Sequence, residues 1–147
     1  MSANPIIILL AEDDPDDQYL INEALEENRL NTRMYVVEDG EDLLDYLNRR
    51  GKYQDSVKWP MPNLILLDLN MPRKDGREAL REIKADPKLR HIPIVALTTS
   101  QADDDIARTY DSGISGYITK PPSFTGLRDV MKAVDLYWLQ TTRLPPE

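Results

Sequence analysis

Two hydrophobic periods alternate along the chain. Short, nearly unbroken apolar runs occur at Ile6–Ala11, Met34–Val37, Leu64–Leu67, Ile92–Leu97 and Gly116–Thr119. The first, third and fourth are almost continuous in Ile, Leu and Val, the pattern of strands buried on both faces. Helical spacing fills the intervals. Asp14-Pro15 opens a helix with Asp as N-cap and Pro in its first position, and Leu20, Ile21, Ala24 and Leu25 form its apolar face. A second helix carries Leu43, Leu44 and Leu47 and stops at Gly51; a third carries Ala79, Leu80 and Ile83 and ends before Pro87. The fourth begins near Ser100, sets Ile106, Ala107 and Tyr110 on one side, and has Asp103, Asp104 and Asp105 in its first turn. Acids there suit the positive end of the helix dipole. The fifth begins near Ser123 and carries Leu127, Val130, Met131, Val134 and Trp138, with Leu136 and Leu139 off that stripe.

Regular β-α alternation predicts an α/β fold: a doubly wound, five-stranded parallel sheet of the (βα)5 type with helices on both faces. Right-handed crossovers leave few topologies, and strand order 2-1-3-4-5 is expected. Residues 1–139 read as one domain and 140–147 as a short tail, with no output domain after it. The long irregular segment Lys52–Asn63 reads as an elaborated loop within the domain.

Composition narrows the function. At 147 residues the chain has room for one sizeable core, and 41% hydrophobic content is that of a globular protein. Lys and Arg number 18 against 26 Asp and Glu, a formal net charge of -8. That balance opposes direct nucleic-acid binding. The absence of cysteine excludes disulfides, thiolate metal sites and cysteine nucleophiles. No apolar run approaches a membrane span and no signal-peptide pattern precedes the first strand. The expected location is the cytoplasm.

In an open α/β sheet, ligands bind outside the carboxyl ends of the strands. Those ends carry Glu12-Asp13-Asp14, Asp68 followed by Leu69-Asn70-Met71-Pro72, Thr98-Thr99-Ser100, and Lys120-Pro121. Carboxylates gathered on one rim repel, and a hard divalent cation relieves the conflict. Asp13, Asp68 and the backbone carbonyl of Asn70 suit Mg2+ (or Mn2+), with Glu12 acting through water. With the cation bound, Asp68 is a carboxylate nucleophile toward phosphorus. Lys120 and the Thr98 hydroxyl would share in neutralising the transferred group.

These pieces resemble the receiver domain of bacterial two-component response regulators, the CheY-like fold. The likeness rests on Glu12-Asp13, on Leu64 through Pro72 with Asp75-Gly76, on Thr98, and on Tyr117-Ile118-Thr119-Lys120-Pro121. It implies that Asp68 is the phosphoacceptor, Glu12 and Asp13 the acidic pair, Lys120 the phosphate partner, and Thr98 with Tyr117 the switch pair. A narrower likeness, to phytochrome-associated single-domain regulators of cyanobacteria and other bacteria, rests on Leu64 through Met71, Asp75-Gly76-Arg77-Glu78, Leu97 through Ser100, and the tail from Tyr137 to Leu139 with Leu144-Pro145. It implies a histidine kinase partner, with a phytochrome as the candidate kinase, an unknown downstream protein, and a homodimer through the fourth helix, fifth strand and fifth helix. Thr99 departs from the small residue the family often has there. Asn70 and Ser100 sit where members tune attack by water. The resemblance implies a phosphoacceptor that supports its own phosphotransfer and dephosphorylation rather than an enzyme.

Plainer explanations exist for each residue alone: Asp13 and Asp14 as helix caps, Lys120 as a solvated cation, Thr98 and Thr99 as strand-formers. Asp14 is expected to do only that. Rival functions fit less well. A flavodoxin-like phosphate loop would not follow the first strand with three carboxylates. A dehalogenase-type phosphatase would carry Asp, not Asn70, two positions past its nucleophile. A pseudo-receiver acting purely as an interaction module is the alternative from another class.

Overall fold

The computed structural model describes residues 5–28 and 32–146. Residues 1–4 and 147, the outer ends of the expected domain and tail, lie outside the described residues. Five strands, β1 (Ile6–Ala11), β2 (Thr32–Val37), β3 (Leu64–Leu67), β4 (Ile94–Thr98) and β5 (Gly116–Thr119), form one parallel sheet in the order β2-β1-β3-β4-β5. Between and after them run α1 (Pro15–Asn28), α2 (Gly40–Leu47), α3 (Gly76–Ala85), α4 (Asp103–Asp111) and α5 (Phe124–Val134). No helix among the described residues is long and apolar enough to cross a membrane.

Alternation along the central strands splits the core in two. Leu9, Ile65, Leu67, Ile94 and Ala96 pack against Leu43 and Leu47 of α2 and Leu80 and Ile83 of α3. Ile8, Leu10, Leu66, Val95 and Leu97 point the other way, onto Ile21 and Leu25 of α1 and Leu127, Met131 and Val134 of α5. The near-continuous apolar runs follow directly: every position of β3 and β4 is buried on one face or the other.

Boundaries or faces of five elements differ from the sequence expectations. α2 ends at Leu47 rather than at Gly51, where a separate 3-10 turn begins. β2 begins at Thr32 rather than Met34, because Thr32 pairs with Ile6 in the parallel ladder. β4 begins at Ile94 rather than Ile92 and extends through Thr98; Pro93 has no amide hydrogen for a ladder bond. α4 starts at Asp103 rather than near Ser100 and buries Asp105 and Thr109, while Tyr110 and Ala107 face out. Its inner face is polar because an arginine from α3 meets it, as described below. Leu139, expected off the stripe of the last helix, is half-buried against the core. Beyond Val134 the helix widens into a π-helical segment, Asp135–Thr141, marked by a 2.8 Å bond from the Thr142 amide to the Tyr137 carbonyl. The wider turn rotates Leu139 inward.

The Lys52–Asn63 loop is anchored rather than loose. A 3-10 turn at Gly51–Gln54 sets Tyr53 beside Trp59, ring centroids 5.1 Å apart, and beside Tyr46 at 4.9 Å. The Tyr46 hydroxyl donates to the Pro60 carbonyl at 2.6 Å and the Tyr53 hydroxyl to Asp42 at 2.6 Å. The loop thus extends the core beyond α2.

Candidate functional site

Strand register assembles the site. Ala11 pairs with Leu67, so the next residues, Glu12 and Asp68, leave the sheet side by side. Thr98 pairs with Thr119, so Lys120 follows beside it. The rim is then closed from below by glycine. A Cβ on Gly76, the first residue of α3, would stand 2.4 Å from the Asp68 carbonyl oxygen, so only glycine lets α3 start this close to the end of β3. The Gly76 amide donates to the Leu69 carbonyl at 3.0 Å, fixing that approach.

Carboxylate oxygens of Glu12, Asp13 and Asp68 come within 4.8 Å of one another. Asp13 is exposed, whereas Glu12 and Asp68 are buried. Hard oxygen donors in this arrangement fit a divalent cation with open positions for water. Burial pushes the Glu12 carboxyl up to about 7, with Lys120 acting against the shift and Asp68 adding to it. That is the electrostatic conflict that a cation relieves. Asp14 accepts from the Asp16 amide at 2.9 Å, in keeping with a capping role.

Lys120 lies deep in the rim, its side chain 8% exposed. An ammonium has three donors. Here they reach Glu12 at 2.5 Å, Asp17 at 2.8 Å and Asp68 at 3.2 Å. Burial lowers the lysine pKa, but the bonds to Asp17 and Glu12 outweigh it and hold the group charged. Asp17 did not stand out in the sequence. It lies in the first turn of α1 among acids that helix capping already explains, and only the fold turns it toward β5.

Thr98, fully buried, accepts a 3.1 Å hydrogen bond from the Asn70 amide nitrogen. The Tyr117 hydroxyl donates to the Ser100 carbonyl at 2.9 Å, so both members of the expected switch pair make their contacts at the carboxyl end of β4. Asp68 accepts from the Asn70 amide at 3.0 Å. The structure therefore brings together Glu12, Asp13, Asp68, Asn70, Thr98 and Lys120, with Tyr117 one shell away. Thr99 is exposed beside them. Sequence reasoning also missed the Arg77–Asp105 pair, in which the guanidinium of α3 grips the carboxylate of α4 at 2.7 and 2.5 Å. No periodic signal marks it, since Asp105 reads as one of three acids at a helix start.

Comparison with known proteins identifies the family. The model of the response regulator receiver domain matches residues 8–132. Response regulator Rcp1 of Synechocystis sp. is 40% identical over 141 residues, covering 96% of this chain and 94% of that protein. The crystal structure of its Mn(2+)-bound form superposes with a TM-score of 0.91 at 39% identity, over 97% of this chain and 100% of the other. The phosphorylated cyanobacterial phytochrome response regulator RcpA also gives 0.91, at 42% identity over 97% and 99% of the two chains. On its sequence, its sheet order and these relatives together, this chain belongs to the response regulator receiver domain family of two-component signalling, and within it resembles the cyanobacterial phytochrome response regulators.

Proposed function

We propose that Asp68 is the phosphoacceptor of this receiver, taking a phosphoryl group from the phosphohistidine of a histidine kinase. The observation that carries the reading is convergence: three carboxylates, one buried ammonium and one buried hydroxyl meet at the carboxyl ends of strands otherwise lined with Ile, Leu and Val. An Asp68 carboxylate oxygen forms a bond to phosphorus as the phosphorus–nitrogen bond of the donor breaks, and the imidazole leaves with a proton. Glu12, Asp13, Asp68 and the Asn70 carbonyl would hold Mg2+ (or Mn2+), which supplies positive charge to the oxygens around phosphorus. Lys120 exchanges a carboxylate for a phosphoryl oxygen, and the Thr98 hydroxyl turns from Asn70 toward another. Water later attacks phosphorus, releases inorganic phosphate and restores the carboxylate. The protein is a timed switch rather than a turnover catalyst.

Residues 1–139 act in this proposal as the receiver unit and 140–147 as an appended tail. A phytochrome is the kinase type suggested by the relatives, and the downstream target is another protein. The output surface is formed by α4, β5 and α5, where Ile118, Val130, Tyr137 and Trp138 line an apolar groove. Tyr137 is 56% exposed, and Leu136 next to it, outside the groove, is 61% exposed. These residues suit a homodimer face.

Incubation with acetyl phosphate and Mg2+, followed by intact-mass measurement, tests the central claim. One phosphoryl group should add to the wild type and none to Asp68→Asn. Uptake by Asp68→Asn, or none by the wild type, would sink it. Sedimentation across a range of concentrations tests the dimer, and a monomer mass throughout would remove it.

A further inference from the structure

We propose that Arg77 is a positioning residue for the rim: it fixes which end of the Asn70 side-chain amide faces the phosphoacceptor, and so lengthens the life of the phosphoryl group. The inference rests on the reading of Asp68 above and adds a residue to it.

Arg77 sits one position into α3, and its guanidinium is held in a plane. Nε and Nη2 grip Asp105 at 2.7 and 2.5 Å, and Nη1 lies 3.0 Å from Asp75. Asp105 is buried, so this two-point bond is shielded from water and keeps the fork from turning. The same Nη1 reaches the Leu69 carbonyl and the Asn70 Oδ1, each at 3.3 Å. A guanidinium only donates. The end of the Asn70 amide facing it must therefore be the oxygen, and the nitrogen must face the rim, where it donates to Thr98 at 3.1 Å.

When Thr98 turns toward a phosphoryl oxygen, the Asn70 nitrogen loses its acceptor and still points inward. It offers a donor to the phosphoryl group. It offers no acceptor to a water approaching phosphorus, and attack by water is helped by a group that accepts the water's proton or orients it. Without Arg77 the amide is free to turn and present its oxygen to that water. The same guanidinium joins the rim to α4, so the orientation of Asn70 and the placement of α4 share one anchor.

Wild type, Arg77→Gln, Asp105→Asn, Asn70→Ala and the double variant Arg77→Gln/Asn70→Ala are phosphorylated with acetyl phosphate and Mg2+, freed of donor, and followed by intact mass. Arg77→Gln and Asp105→Asn should each lose the phosphoryl group about fivefold faster, the factor that the net worth of one long hydrogen bond corresponds to. In the Asn70→Ala background, Arg77→Gln should change nothing further. A wild-type rate in both single variants, or an undiminished effect without Asn70, would overturn the proposal; the second result separates positioning from a general loosening of the fold. In the metal-free, unphosphorylated protein, the Asn70 side-chain amide resonance should move toward that of a free asparagine in Arg77→Gln. An unmoved resonance would also overturn it. Should the wild type take up no phosphoryl group, the reading of Asp68 falls, and the resonance comparison still decides the role of Arg77.

Discussion

Lys120 stands closer to Asp17, at 2.8 Å, than to Asp68, at 3.2 Å. The residue expected to serve the phosphoryl group is thus shared, before phosphorylation, with a carboxylate from α1. Asp17→Asn should leave Lys120 nearer Asp68 and reduce the negative field met by an anionic phosphodonor. The rate of phosphorylation by acetyl phosphate should rise several-fold, measured by mass against time. A lower rate would mean that Asp17 positions the lysine instead of competing for it.

Removing the ammonium should be costly twice. Lys120→Ala leaves Glu12, Asp17 and Asp68 facing one another, and breaking a buried ionic group by deleting one partner costs about 3 kcal/mol. Phosphotransfer should fall by roughly 10²-fold, as for loss of one stabilising donor at a reacting centre. Chemical denaturation in metal-free buffer and phosphorylation kinetics read the two effects separately.

Divalent cation should stabilise the folded chain through the acidic cluster. At a concentration of Mg2+ a hundred times its dissociation constant, the gain is about 2.7 kcal/mol, read as a rise in Tm. Asp13→Asn should abolish most of this rise, because Asp13 is the exposed member of the cluster and is the one through which a hydrated ion would enter. An equal rise in that variant would place the cation elsewhere.

Asp105 carries a pH signature. The hydrogen bond from Arg77 holds its carboxyl down at about 2, against the opposing effect of burial and below its ordinary 3.8. A lowered folded pKa means that the stability it contributes is complete above the unfolded value and drains away as pH falls from about 4 toward 2. Asp105→Asn should therefore melt below the wild type at pH 6, and the gap should close over that acid window. A gap that stayed constant down to pH 2 would contradict the pairing.

Gly76 tests how tightly the fold and the rim are joined. A methyl group there would meet the Asp68 carbonyl oxygen at 2.4 Å and the Leu69 Cα at 2.8 Å, both backbone atoms. Gly76→Ala should destabilise the protein by about 1–3 kcal/mol, the usual cost of overpacking. It should also slow phosphorylation by displacing the residues just past β3. Normal stability would show that α3 can retreat.

Much of this protein could be read directly from its residues. Continuous Ile-Leu-Val runs have one stable home, a strand covered on both faces, and their alternation with helical spacing leads to the observed sheet order. Carboxylates, a threonine and a lysine at the ends of those runs had to meet on one rim, because all strands of a parallel sheet end on the same side. What tertiary structure decided lies between elements. Asp17 resembles any acid in a first helical turn until α1 is laid against α5 and the carboxylate meets Lys120, just past β5. Asp105 resembles its neighbours until Arg77 approaches from α3, which also explains why α4 buries acid and leaves Tyr110 outside. Leu139 turns inward only because the last helix widens. Period and composition report what a segment prefers along its own axis; which charged side chain meets which is fixed by the packing of one helix on another, and no local pattern encodes it.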